Sequence, residues 1–280
     1  MTCALPRRQH GIVLVVVLWL LALLAMMAGS YSLVTRTETR LTASQVQAAQ
    51  ARGLAEAGIW LGVQQLLQPV NAAAPNAPGF AGLAFGAGVI DVQIQDEAGK
   101  IDLNSARPEV ILGLLEASGA DTLSAATLRD AILDWRDRDN ARHAAGAEDD
   151  EYLAKGLAGG AKDGPFNSIE ELRAVLGMTE TLYQKMRPAL TLYSHQPGVA
   201  GAVAVPQIAG GDLEARFLSG RRSQIYAITS TGNIADTALS IEVVVQLRSG
   251  GKPPYAILSW REAPWKNADV AKDTAEKDRG

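Results

Sequence analysis

Seven carboxylates fall within eighteen positions: Asp134, Asp137, Asp139, Glu148, Asp149, Asp150 and Glu151. Clustered carboxylates suit either acid–base work or the binding of a hard cation. Pairs such as Asp134 and Asp137 have the types for proton transfer, but nothing in the sequence marks a substrate cleft beside them. A hard cation such as calcium takes six to eight oxygens. The frame from Asp137 to Glu148 places Asp137, Asp139 and Glu148 at the first, third and twelfth positions of an EF-hand. The frame then fails, because Arg142 occupies the sixth position, where the tight turn needs glycine, and Ala141 the fifth. Two readings stay open: a calcium loop of another kind, or a solvated acidic face, the commoner meaning of a charge run.

Other chemistry has less support. The only cysteine is Cys3, and the histidines are His10, His143 and His195, too few for a Cys/His zinc site. His143 stands alone beside the acidic run, so it argues little for a transition metal. Ser, His and Asp occur without a nucleophile elbow or metal motif to bring them together, and no enzyme is expected. Trp60, Trp135, Trp260 and Trp265 suit packing better than a ligand box. The net charge of −4 argues against sequence-independent nucleic-acid binding, which rests on Lys and Arg neutralising phosphates.

The elements that must carry these residues begin at the amino terminus. Arg7, Arg8 and His10 lead to Gly11, and Ile12 to Val34 is a run of 23 residues without a charge. At ~1.5 Å per residue it spans ~34 Å, enough for a bilayer core, with the basic residues on the cytoplasmic side. A secretory signal would have a shorter apolar core and a small-residue cleavage site; here Met26 spoils the junction at Ala28-Gly29-Ser30. Helix formers continue without a breaker to Gln68, so Ile12 to Gln68 reads as one helix, apolar in its first half and amphipathic in its second. Gly53, Gly58 and Gly62 each cost it ~1 kcal/mol relative to Ala, which packing must offset. Pro69 to Gly88 reads as a linker or long surface loop.

Val89 to Gln95 alternates as a strand, and Lys100 to Leu103 is expected to return as a short second one. Ser105 to Ser194 is helical in pattern. Pro108 suits a first helical turn, Ser124 and Thr179 suit N-caps, and Ser168-Ile169-Glu170-Glu171 has capping-box spacing. Period 2 resumes at Ile225, with strands at Leu239 to Leu247 and Tyr255 to Trp260. The β segments are too few for two domains. One sheet on the long helix, with the helical block inserted as a lobe, accommodates them all.

This order, with particular stretches, resembles the type II secretion minor pseudopilin K family. The stretches are the Gly11-Ile12 junction, Arg52 to Gly58, Asp96 to Asn104, Asp134-Trp135-Arg136-Asp137-x-Asp139, Gly146 to Asp150 and Glu171-Leu172-Arg173. The resemblance spans about residues 7–262. It implies an α+β, pilin-like fold: a long N-terminal helix on an antiparallel sheet, with a large inserted α-helical lobe (SAM-like or helix-hairpin-helix-like). The divisions expected are 1–11 as prepilin leader, 12–34 as transmembrane half-helix, 35–104 and 195–262 as the pilin-like domain, 105–194 as the lobe, and 263–280 as a disordered tail.

The resemblance also implies processing by a prepilin peptidase that cuts after Gly11 and methylates Ile12. It implies calcium in the lobe, with Asp137, Asp139, Glu148 and Asp149 as ligands, joined by Asp163 and Asn167. Most pilins carry Glu at the fifth mature position; here that position is Val16, as in a subunit at a fibre tip with no neighbour above it. The function implied is a minor pseudopilin capping and priming a fibre for protein export. Its partners would be minor pseudopilins I and J and the major pseudopilin, and it would be anchored in the inner membrane with its bulk in the periplasm. The alternative is a membrane-anchored helix-hairpin-helix protein of DNA uptake, centred on Leu176-Gly177-Met178. Glu170, Glu171 and Glu180 there oppose phosphate.

Overall fold

The computed structural model describes residues 10–68, 79–157, 159–200, 223–262 and 266–267; side chains are described throughout these except at 10–13, 28–37, 39–40 and 266–267. One helix, α1 (His10–Leu67), runs for 58 residues, close to the span read from the sequence. Its side chains from Leu14 to Met27 are all exposed. Among the described residues no helix is long and apolar enough to cross a membrane; the 12–34 expectation lies partly outside the described side chains. The leader at residues 1–9 lies outside the described residues altogether.

The second half of α1 packs on an antiparallel sheet ordered β1 (Gly79–Phe85), β2 (Gly88–Asp96), β5 (Ile225–Ile234), β6 (Thr237–Leu247) and β7 (Tyr255–Glu262). Ala51, Ala55, Ile59 and Val63, spaced by one turn each, form the buried stripe. Opposite lie Ile90, Val92, Ile228, Ile241, Val243 and Val245. The glycines explain how close the helix sits. A side-chain carbon at Gly58 would lie 2.6 Å from Ile90 Cγ2 and overlap Ser230 Oγ, and at Gly62 one would lie 2.9 Å from Ile228 Cγ2. Gly232 of β5 makes the reciprocal approach: a side-chain carbon there would lie 2.7 Å from the Ala55 nitrogen. Two of the helix-weakening glycines are thus repaid in packing; Gly53 faces open space.

Several expectations are corrected. The supposed linker 69–88 contains β1, which pairs with β2 through an irregularity between Phe80 and Leu83; residues 69–78 lie outside the described residues. The short strand β3 (Ile101–Asp102) does not return onto the sheet. It pairs in parallel with β4 (Leu190–Thr191), closing the neck of the helical block. Of the tail, Lys266–Asn267 forms β8 and pairs with β6, and the rest lies outside the described residues.

The helical block lies between β2 and β5, which are neighbours in the sheet, so it leaves and re-enters the sheet at adjacent strands. It contains α2 (Pro108–Ala117), α3 (Thr122–Arg136), α4 (Asp149–Ala154), a 3-10 turn at Ile169–Ala174 and α5 (Glu180–Met186). Its core is separate from that of the sheet and includes Leu103, Ile111, Leu115, Ile132, Tyr152, Leu172, Tyr183 and Met186. Pro108 opens α2 and Thr179 caps α5 as read. Asp121, not Ser124, caps α3, accepting from the Ser124 N–H at 3.1 Å. Ser168 makes no side-chain cap; Glu171 instead reaches back to the Asn167 N–H.

The stretch Asp96 to Asn104 forms the neck. Asp96 accepts from the Ala98 N–H at 2.9 Å and from Ser223 Oγ at 2.7 Å. Buried Glu97 pairs with Lys100 and accepts from the Thr191 hydroxyl. Asp102 accepts from the N–H groups of Asn104, Ser105 and His195. Asn104 exchanges two hydrogen bonds with the Phe166 backbone. Across the outside of the junction, Arg261 of β7 lies 2.7 Å from Glu242 on the sheet and 3.7 Å from Glu170 on the lobe.

Candidate metal centre

The acidic cluster is built at the C-terminal end of α3. Helical spacing sets Asp130 and Asp134 on one side of α3, and Asp137 follows as its extended C-cap. The turns 137–148 fold back over them. Asp130 accepts from the Ala145 N–H at 3.1 Å and Asp134 Oδ1 from the His143 N–H at 3.1 Å. The His143 ring nitrogen Nδ1 lies against the same Asp134 oxygen. Gly146 comes so near that a side-chain carbon there would lie 2.8 Å from Asp134 Cγ. Behind the cluster, Trp135 stacks on Phe166 at 6.2 Å and tilts against Tyr152 at 6.0 Å, an apolar backing that keeps water out. Arg136 turns the other way and donates to the Leu103 and Ala106 carbonyls, tying α3 to the neck.

Several carboxylate oxygens of the cluster are buried without a partner. Asp134 is fully buried, and its Oδ2 has no hydrogen-bond partner; neither has Asp137 Oδ1, nor either carboxylate oxygen of buried Glu148. Arg129 pairs with Asp130 and His143 lies on Asp134, while Arg142 is engaged on Glu151 and Lys162 on Glu171. Burial, then repulsion from Asp134, Asp163, Asp137 and Asp139, pushes the Glu148 carboxyl up to about 7. Burial, then Asp139 and Asp134, also raises Asp137. The hydrogen bond to Asp134 raises His143, against the opposing effect of burial.

Of the expected ligands, the fold brings Asp137, Asp139 and Asp163 within electrostatic reach of Glu148 and adds Asp134. Asp139 accepts from the Ala141 N–H at 3.0 Å. Asp149 sits in the first turn of α4, an acid favoured at a helix N-terminus, and its Oδ1 accepts from the Ala161 N–H at 3.2 Å. Asn167 is exposed, with its N–H on Glu171. Asp134 belonged to the acidic run but not to the expected ligand set. Its place in Asp134-Trp135-Arg136-Asp137, three residues before Asp137, was the available signal. Val16 is half-exposed in the apolar stretch, while Gly11 and Ile12 lie outside the described side chains.

At the hairpin of the alternative, DNA-binding reading, the arginine is engaged within the lobe. Arg173 makes two hydrogen bonds to Glu180 and stacks over Tyr183 at 4.0 Å, while Gly177 lies at φ 91° against Leu128.

The arrangement defines a class of protein: one long helix backing an antiparallel sheet, with a helical lobe inserted between neighbouring strands and an acidic centre in that lobe. Residues 91–195, from the sheet through the neck to the end of the lobe, match the family model "Type II secretion system (T2SS), protein K". A "Type II secretion system protein K" of Klebsiella pneumoniae is 29% identical over 202 residues, covering 65% of this chain and 62% of the relative. One of Pectobacterium carotovorum subsp. carotovorum is 30% identical over 208 residues, with the same coverage. The chain thus spans about three fifths of the length of these relatives. A chain in "The Crystal Structure of the GspK-GspI-GspJ complex from enterotoxigenic Escherichia coli Type 2 Secretion System" shares the fold. Its TM-score is 0.57 at 19% identity, over 82% of this chain and 99% of that one.

Proposed function

We propose that this chain is a minor pseudopilin that caps and helps initiate the type II secretion pseudopilus. The observation that carries the reading is the match of residues 91–195 to protein K, coupled to a lobe inserted between β2 and β5. The fold is then pilin-like, with the lobe (105–194) too bulky to lie between stacked subunits. Leu14 to Met27 expose apolar side chains around the helix, and burial of such surface contributes ~25 cal/mol per Å². The bilayer supplies that burial first, in a single-pass inner-membrane form with its bulk in the periplasm. The fibre core supplies it after a prepilin peptidase cuts at Gly11-Ile12. Val16 in place of the usual carboxylate suits a subunit that pairs with no amino terminus above it. Minor pseudopilins I and J, named in the structural relative, are the partners, and the major pseudopilin follows below. The role is assembly, not catalysis, and the comparisons lend no support to a DNA-uptake protein.

Calcium fits the acidic centre on a physical ground: buried, unpartnered oxygens of Asp134, Asp137 and Glu148 are the hard donors it takes. Asp137, Asp139 and Glu148 would hold it, with Asp134 and Asp163 adjacent; Asp149 and Asn167 are retained as outer candidates. The ion would supply positive charge that links the end of α3 to the start of α4. In a chain whose one cysteine is Cys3, this replaces disulfide cross-linking. Co-expression of the full chain with its own I and J subunits tests the assembly reading. A detergent-stable complex is expected, lost when Leu20 and Leu23 are both changed to Arg. Purification of the full chain free of both partners would contradict it.

A further inference from the structure

Where the lobe meets the sheet, on the face of β6 turned away from α1, lies a cavity of about 300 Å³ that shares no lining residue with the acidic centre. We propose that this cavity binds the C-terminal residue of a polypeptide, with the free carboxylate on Arg187 and an apolar last side chain on the floor. The inference needs only the cavity and its charges, and it stands or falls apart from the pseudopilin reading.

Three observations carry it. First, the floor is apolar and small. Leu190 of β4 and Val244 of β6 are buried there, with Ile169 and Pro188 beside them. A volume of this size is at the lower limit for a ligand site and holds about one amino-acid residue. Second, the lining charges do not cancel. Lys100 lies 2.7 Å from Glu97, whose other oxygen accepts from the Thr191 hydroxyl, and Arg261 lies 2.7 Å from Glu242. Arg187 lines the same cavity and has no ion pair among the described residues. One cation in excess suits a monoanion, while Glu97 and Glu242 in the walls oppose a doubly charged phosphate. A guanidinium can take a carboxylate through two parallel hydrogen bonds.

Third, Arg187 stands at the mouth on a fixed backbone. It ends α5, where its N–H bonds the Tyr183 carbonyl, and opens the turn Arg187–Ala189, with buried Ala189 and Leu190 behind it. Arg187 and Pro188 are exposed while Glu97, Thr191, Leu190 and Val244 are buried, so the cavity opens on the α5 side. A chain end carries its side chain and its carboxylate on one carbon, so a single residue covers the floor and meets Arg187. An internal Asp or Glu would bring the carboxylate and leave the floor uncovered.

The test is fluorescence anisotropy with the full chain in detergent and a fluorescein-labelled peptide ending in Ser-Gly-Leu with a free carboxylate. Saturable binding is expected, weakened at least about ten-fold by amidation of the peptide and by R187A, with R187K recovering part of the loss. K185A, on the same helix but outside the cavity, is expected to change affinity less than about two-fold. Because Arg187 is exposed, R187A is expected to keep the wild-type melting temperature; if it does not fold, the acid and amide peptides on wild type still decide. No saturable binding of the acid peptide, equal binding of the amide, or unchanged affinity in R187A overturns the proposal. Displacement of the probe by inorganic phosphate, or by an amidated peptide with an internal Glu, as effectively as by the unlabelled acid peptide overturns it as well.

Discussion

Gly146 rests directly on the carboxylate of Asp134: a side-chain carbon at Gly146 would lie 2.8 Å from Asp134 Cγ, at a residue with no exposed surface. The loop can fold over the acids only because nothing projects from it there. Gly146→Ala is therefore expected to push Asp134 out of place, destabilise the lobe by about 1–3 kcal/mol and abolish its calcium response. Thermal melts of the full chain with and without calcium check this. A variant with unchanged melting temperature and calcium response would show that the loop has room.

Metal removal follows from the unpaired oxygens. At neutral pH a chelator is expected to lower the melting temperature of the wild-type chain. Glu148→Gln removes a buried charge whose two oxygens have no partner, so it should raise the stability of the metal-free protein while erasing its response to calcium. Asp139→Ala should also erase the response, without the gain. Calorimetry with chelator and with excess calcium separates these outcomes.

The pH dependence has a definite sign. Glu148 is pushed from 4.5 in the unfolded chain up to about 7 in the fold, chiefly by burial. The metal-free fold thus holds a proton that the unfolded chain has lost, and its stability falls as pH rises from about 4.5 to about 7. Asp137, raised by burial and by Asp139, acts in the same sense over the carboxylate range. His143, raised through its bond to Asp134, contributes stability below about 6.5 that is lost as pH rises through its folded value. The chelated chain should melt lower at pH 7.5 than at pH 5, and calcium should narrow or reverse that difference. A chelated chain that melts higher at pH 7.5 would contradict the burial of these groups.

The helix–sheet contact depends on glycine at one point above all. Gly58→Val would drive its side chain into Ile90 and Ser230, and a cost of about 2–4 kcal/mol is expected, against about 1 kcal/mol or less for Gly53→Val in open space. Chemical denaturation of the two variants checks the contrast. Equal losses would show that helix propensity, not close packing, governs the segment.

What the sequence disclosed depended on how local the cause was. The length of α1 was legible because helix formers run unbroken to Pro69. β1 was not, because Gly79-Phe-Ala-Gly-Leu-Ala-Phe has little strand propensity of its own. It forms as an edge on β2, steadied where Asp91 accepts from the Gly82 N–H at 2.8 Å. α4 was hidden because Asp149, Asp150 and Glu151 read as a solvated loop, whereas acids suit the first turn of a helix. The acidic centre was visible as composition, but its burial was not. That Asp134 lacks a partner and that Asp149 bonds Ala161 are consequences of how the loop closes, and spacing carries no trace of them.

As proposed, the apolar helix is a fibre-assembly element released by cleavage at its basic leader. Mass spectrometry of the amino terminus of the protein, purified from membranes with an active prepilin peptidase, reads that cleavage. The expected chain begins at N-methylated Ile12. An intact leader, or a chain beginning at Gly29 or beyond, would contradict it.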